Sequence, residues 1–161
     1  MAKFLWVLAI IFNIEGGWYA GDGGTLYGIT TGTLRNARSQ GIVKTQNIRD
    51  LTRRDAAWIY YELFWKTSGA YRYAYPLDLV IFDAAVHAGP EKAKALLITA
   101  RKNARDNGTK TIARQYVLER YKHLHELKRF NKFKWGWRRR LGIILRRVNE
   151  EDKRKFTKKQ T

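Results

Sequence analysis

With 161 residues, 45% of them hydrophobic, the chain is long enough to bury the core of one ordinary domain, and its composition excludes wholesale disorder. Cysteine is absent, which excludes a disulfide scaffold, a thiolate nucleophile and any thiolate metal site, and leaves the fold to be held by packing in either redox environment. The 32 Lys and Arg against 14 Asp and Glu give a net charge of +18, which points to a polyanionic partner, either nucleic acid or an anionic cell surface.

The first predicted element runs from Lys3 to Ile14. It is apolar on nearly every side and reads as a helix surrounded by other elements, although so short a run also fits a buried strand. Phe4 to Phe12 resembles the hydrophobic region of a signal peptide or a short anchor. It falls below the roughly 20 apolar residues that span a bilayer, and no small-residue cleavage site follows, so the expectation is a retained first helix without a cleavable signal. Gly16-Gly17 stops it. Trp18 to Gly32 is glycine-rich, with short strands and a small hairpin lobe expected.

A short polar helix is expected within Thr33 to Asn47. Thr52 then reads as a helix cap, with Asp55 completing a capping box ahead of the apolar face formed by Trp58, Ile59, Tyr61, Leu63, Phe64 and Trp65. Pro76 fits a first helical position, and Leu77 to Val86 fill a helix that Gly89-Pro90 ends. Pro90 opens the next, which runs until Asn107-Gly108 turns the chain. Thr111 is the expected cap of a helix reaching about Leu127. A loop near Asn131 precedes a last helix whose Trp137, Leu141, Ile144 and Val148 fall on one side among many arginines. That stripe has two readings, insertion beside anionic lipid or, favoured here, burial in the core with the arginines in water. Residues 1–150 are expected to form the catalytic domain, and 151–161 a frayed basic tail.

Chemistry concentrates early. Glu15 ends an apolar helix, where desolvation and the negative end of the helix dipole both favour a protonated carboxyl able to donate a proton. The glycines after it let Asp22 or Thr25 return toward it, so that a second group orients water or stabilises an oxocarbenium-like transition state. Trp18, Tyr19 and Tyr27 offer flat surfaces and hydroxyls to sugar rings. Each has an ordinary alternative: Glu15 as a paired or solvated helix end, Asp22 as a turn residue, the aromatics as core. Charge lies elsewhere, since Arg101 onward holds 21 basic and 6 acidic residues. His87, His123 and His125 form no metal-binding spacing, Ser39 and Ser68 lack a serine-hydrolase context, and the glycines match neither a phosphate loop nor a dinucleotide fingerprint.

The segment Glu15-Gly16-Gly17-Trp18, with Gly23-Gly24-Thr25 and Tyr27-Gly28-Ile29-Thr30, resembles the glycoside hydrolase family 108 lysozymes. Phe82-Asp83-Ala84-Ala85-Val86-His87-Ala88-Gly89-Pro90 is similar to that family's Phe-Asp helix and glycine turn. Phe133, Gly136-Trp137 and Arg140 are similar to its terminal Gly-Trp-x-x-Arg signature. His87 stands where the family has asparagine.

The resemblance implies a mainly α, lysozyme-like (α+β) fold of about six to seven helices with a small glycine-rich hairpin lobe. It implies a muramidase that cleaves the β-1,4 bond between N-acetylmuramic acid and N-acetylglucosamine without metal or cofactor. Glu15 carries over as the acid, with Asp22 and Thr25 as water-positioning groups. Trp18, Tyr19, Tyr27 and His87 are the substrate-contact candidates. The expected partners are peptidoglycan and, through the basic C-terminal half, an anionic envelope surface; a monomer without an obligate protein partner is expected. A phage endolysin, made in the host cytoplasm and acting at the wall or periplasm, is the most economical biological reading. The alternative is a non-enzymatic basic module binding nucleic acid or envelope, for which no helix-turn-helix, zinc-finger or RNA-recognition pattern is present.

Overall fold

A computed structural model describes residues 1–15 and 24–150, with Glu15 described in its backbone alone. The described residues form seven α-helices and one two-stranded hairpin, the mainly helical α+β architecture expected. None of these helices is long and apolar enough to cross a membrane. The chain divides into two compact units, Met1–Thr67 and Ser68–Thr161.

In the first unit, α1 (Ala2–Glu15) buries Phe4, Val7, Leu8 and Ile11, which recur at helical spacing on one side. The opposite side is not enclosed as the sequence suggested: Leu5 is 50% exposed, and Ala9 and Asn13 follow it one and two turns on. The hairpin pairs β1 (Thr25–Leu26) with β2 (Ile29–Thr30), Thr25 opposite Thr30 and Leu26 opposite Ile29. Tyr27 and Gly28 form its two-residue loop, both at positive φ (53° and 76°). That is the sign a tight hairpin turn needs to match strand twist, and it is unusual for a tyrosine.

Thr30 leaves the hairpin and at once caps α2 (Thr31–Ser39), its hydroxyl accepting the Thr33 N–H at 3.1 Å. The helix therefore starts two residues before the expected segment. It ends in a Schellman turn, where the Gly41 N–H donates to Arg38 and the Ile42 N–H to Ala37, with Gly41 at φ +72°. A single 3₁₀ turn, Ile48–Asp50, leads to α3 (Arg53–Tyr60). Its capping box is formed as expected: the Asp55 N–H donates to Thr52 Oγ1 at 3.0 Å and the Thr52 N–H to Asp55 Oδ2 at 3.2 Å. After Tyr60 the helix widens into a π turn, Tyr61–Lys66. Phe4 of α1 meets both Tyr61 and Trp65 there, at ring distances of 5.1 and 5.6 Å.

The second unit is a four-helix cluster of α4 (Leu77–Ala88), α5 (Pro90–Asn103), α6 (Thr109–Glu126) and α7 (Phe130–Asn149). Every residue of α4 from Leu77 to Ala85 is buried, the apolar side chains as helix packing demands and Asp78 and Asp83 along with them. Several expected boundaries move: Pro76 caps α4 instead of opening it, and α5 ends at Asn103, short of the Asn107-Gly108 turn. The helix expected from Thr111 begins at Thr109, because Asp106 Oδ1 already accepts the Gly108 N–H at 2.8 Å and fixes the turn from outside. The loop expected near Asn131 lies earlier, because Phe130 is buried and draws its turn into α7. Leu141, Ile144 and Val148 face the core, the favoured reading of that stripe.

Arg140 departs from the expectation that the arginines of α7 stand in water. It is 9% exposed, and its Nε donates to Asp83 Oδ1 of α4 at 3.0 Å. Arg120 of α6 donates to the other oxygen of the same carboxylate and is 2% exposed. A fully buried aspartate thus joins three helices. Burial opposes its ionisation, but the two guanidiniums and their hydrogen bonds outweigh that and hold the carboxyl below the ordinary carboxylate range.

Asp83→Asn should lower the stability of this unit by about 3–5 kcal/mol, because it leaves two buried guanidiniums without an anion. Urea unfolding checks this, and a loss near zero would contradict it. The wild-type contribution should be complete above the unfolded carboxyl value of about 3.9 and vanish as pH falls below it through the lower folded value.

Candidate functional site

Glu15 is the last helical residue of α1, so its backbone sits at the negative end of the helix dipole, as the sequence reading requires. Trp18, Tyr19 and Asp22 lie outside the described residues, as do Gly16 and Gly17.

Phe12, one turn before Glu15, forms the first part of the frame around the end of that helix. Its ring lies 6.0 Å from Tyr27 in the hairpin loop and 5.6 Å, edge-on, from Tyr60 at the end of α3. Tyr60 is fully buried, and its hydroxyl donates to the Tyr27 carbonyl at 3.0 Å. Three aromatic residues therefore clamp the hairpin loop to the final turn of α1. The Arg53 guanidinium lies 5.1 Å from the Phe12 ring centroid, a cation over the same turn.

The clamp gives the positive φ of Tyr27 a physical explanation. A non-glycine residue in that region costs roughly 1 kcal/mol or more and persists only where its surroundings over-determine it. Here the ring is held by Phe12 and the carbonyl by Tyr60. Tyr27 is half-buried, with one part committed to the clamp and the rest open to solvent. Thr25, also half-buried, is held by its pairing with Thr30, so its position relative to the loop is set by two-residue register. Tyr60 was the residue the sequence reading missed. It is not among the residues the sequence assigns to the apolar face, and nothing local signals that its hydroxyl reaches back 33 positions.

His87 belongs to the second unit, at the C-terminal end of α4. It meets Trp137 of α7 edge-on at 5.8 Å, and Trp137 stacks on Phe133 at 5.7 Å with a 27° angle between the rings. Its Nδ1 is buried and has no hydrogen-bond partner among the described residues. Burial, followed by the positive charges of Arg120 and Arg140, pushes its pKa down to about 4, against the weaker opposing influence of Asp83. At neutral pH the ring is an uncharged, aromatic and polar surface. It can accept or donate one hydrogen bond, but it is no source of positive charge.

Among the described residues, no group of three or more His, Asp or Glu side chains could hold a metal ion. Asp83 and Glu119 are buried carboxylates with cation partners: Asp83 serves the two arginines, and Glu119 accepts from Asn103, Gln115 and Lys122. Both are structural and fully committed.

The glycosyl hydrolase 108 family model matches residues 8–89, from the middle of α1 to the glycine that ends α4. The solved structure of Brucella abortus SagA superposes on the chain with a TM-score of 0.76 at 24% identity, covering 91% of this chain and 94% of that one. At that identity the likeness speaks for the fold alone. No curated protein sequence matches the chain.

Tyr60→Phe should cost about 1 kcal/mol, the worth of one hydrogen bond, and should loosen the hairpin loop. Faster amide exchange at Gly28 and Ile29 is the expected readout; unchanged exchange would remove the clamp from the account. For His87, imidazole NMR should show the ring neutral down to about pH 4. Its folded pKa lies below its unfolded value of about 6.5, so the stability it contributes is present above 6.5 and lost as pH falls from there to about 4. A midpoint near 6.5 would contradict its buried setting.

Proposed function

The chain belongs to the glycosyl hydrolase 108 family and is a glycoside hydrolase, and we propose that it is a peptidoglycan muramidase whose general acid is Glu15. The observation that carries the reading is position. The family match contains the final turn of α1, and Glu15 closes that helix beside the clamped hairpin. A carboxyl at the negative end of a mostly apolar helix holds its proton more tightly than one in water. Cleavage of a glycosidic bond needs such a proton, delivered to the leaving oxygen as the sugar develops oxocarbenium character.

The proposed reaction is hydrolysis of the β-1,4 bond between N-acetylmuramic acid and N-acetylglucosamine. Glu15 protonates the departing oxygen, the glycosidic carbon–oxygen bond breaks, and a water adds to the anomeric carbon, its proton passing to solvent, from which Glu15 is reprotonated. Asp22 and Thr25 are the groups proposed to orient that water. Thr25 pairs with Thr30 in the hairpin, and the Phe12 and Tyr60 contacts at the Tyr27 loop brace the position of its hydroxyl. Trp18, Tyr19 and Tyr27 are proposed as sugar-ring contacts, and His87 as a neutral polar contact to the substrate. The biological role proposed is that of a phage endolysin lysing its host, acting as a monomer at the wall.

The net charge of +18 supports a second, separable property. Peptidoglycan and the polymers around it carry carboxylates and phosphates, and a strongly cationic protein is drawn to them over about a Debye length, roughly 10 Å at 0.1 M salt. Encounter, and not bond cleavage, is the step this field accelerates.

Glu15→Gln keeps the shape of the side chain and removes its proton. Muropeptide release from purified peptidoglycan, followed by mass spectrometry, should fall by about 10²–10⁴-fold in this variant. Retention of most activity would end the assignment, and products with N-acetylglucosamine at the reducing end would replace muramidase by glucosaminidase. Raising the salt concentration should slow attack on whole walls steeply while leaving cleavage of a short neutral oligosaccharide nearly constant. Equal sensitivity of the two substrates would refute the division between encounter and chemistry.

A further inference from the structure

Trp135 is 73% exposed, more than any other large hydrophobic side chain among the described residues. It stands on α7, whose inward side is occupied by Phe130, Arg140, Leu141, Ile144 and Val148. At about 100° per residue Trp135 lies diametrically opposite Ile144, at the centre of the outward face. Lys132, Arg138, Arg139 and Arg146 fall within about 60° of it on that face, and all four are exposed. From Leu127 to Asn149 there is no acidic residue. Lys134 and Arg138 each lie 5.9 Å from the indole centroid, so cations border the ring directly. Gly142 continues the face one turn or two along with open space above it, and Leu145, 38% exposed, stands at its edge.

The inward side of this helix is filled without Trp135. Arg140 answers Asp83, and the Leu141-Ile144-Val148 stripe is buried. The indole on the other side is therefore not a leftover of core packing. It is a single amphipathic ring in the middle of a cationic strip about 30 Å long, the length of a 20-residue helix.

We infer that the outer face of α7 docks on an anionic phospholipid surface, with the helix lying parallel to the membrane plane and Trp135 seated among the headgroups. The face makes two demands of its partner. Its cations need closely spaced negative charge, which phosphate headgroups, wall polymers and nucleic acids all supply. Its exposed indole needs an environment partly apolar and partly wet, and the headgroup region of a bilayer is where tryptophan concentrates. A wall sugar can stack on the indole, but on a convex face it covers one side of the ring, whereas the headgroup region surrounds it. Nucleic acid offers bases for stacking, but a convex helix face provides no groove to track a strand. With one central aromatic residue the contact is shallow and reversible, unlike insertion of an apolar stripe. The inference does not depend on the role of Glu15.

The test is co-sedimentation of the full chain with vesicles of phosphatidylcholine, with and without phosphatidylglycerol, at low ionic strength. Binding is expected only where phosphatidylglycerol is present. Lys132→Gln with Arg139→Gln should weaken it by about thirty-fold, at roughly fivefold for each charge near the surface. Trp135→Ala should weaken it by about ten-fold, and brominated lipid should quench indole emission in the wild type but much less in Trp135→Phe. Equal binding by Trp135→Ala and wild type would overturn the inference. So would a loss of muropeptide release from lipid-free walls matching the loss of vesicle binding, which would assign the face to the wall polymer. An equal dependence on Trp135 for binding a single-stranded oligonucleotide would likewise assign it to nucleic acid.

Discussion

Asp83 has no contact with water, and a carboxylate in that position must be answered by cations or remain protonated. Two guanidiniums answer it, from helices that begin 21 and 42 residues after the end of α4. Because the acceptor is a single group with two oxygens, the rotations of α6 and α7 are fixed together against α4; a turn of either helix would remove its arginine from hydrogen-bonding distance. The bridge is thus a device for register more than a source of net stability, since taking three charges out of water offsets much of their attraction. It also leaves one formal positive charge in surplus. His87, one turn further along α4, is kept neutral partly by that surplus, so a structural ion cluster sets the chemical character of a candidate contact residue.

The first unit relies on a different kind of constraint. Its hairpin has only two residue pairs, too few to hold a shape independently, and its loop places a tyrosine where glycine is usual. The compensation comes from outside the strands, from the Phe12 ring and the Tyr60 hydroxyl. Phe12 is the last well-anchored aromatic before Glu15, and its contacts link three elements that are distant in sequence. Where a carboxyl must be held near a polymeric substrate, a helix end braced by packed rings gives better definition than a free loop.

What was legible in the sequence follows from how local each cause is. The Thr52–Asp55 capping box involves four consecutive residues and needs no tertiary contact, and it formed as read. The helix between Pro76 and Gly89 was legible for the same reason. The start of α7 was not, because Asn131 is a turn-prone residue whose local preference was overridden by the burial of Phe130. Nor was the π turn after Tyr60, which coincides with the double contact of Phe4 on Tyr61 and Trp65. Arg140 is the most instructive case. Among consecutive arginines at 138, 139 and 140, composition offers no reason to single one out. Yet Asp83 and Arg140 both sit within the stretches that resemble the lysozyme family, as do His87 and Trp137. The two stretches, about fifty residues apart, meet in space, once as the Asp83–Arg140 ion pair and once as the His87–Trp137 aromatic contact.

This partition changes how the charge should be read. A count of 21 basic residues from Arg101 onward treats them as one field, but they act in different media. Arg120 and Arg140 are buried and organise helices; Lys122 is tied to Glu119, and Arg147 to Glu150. Arg114 and Lys110 reach the end of α7 through Asn149. Buried charges are insulated from salt and surface charges are screened by it, so only the latter can give the long-range field its sensitivity to ionic strength. The outward face of α7 holds exposed cations around an exposed indole because its inward face has already been satisfied by Asp83 and an aliphatic stripe. Orientation of that helix by one buried carboxylate is therefore what turns an undifferentiated basic sequence into a surface with a direction.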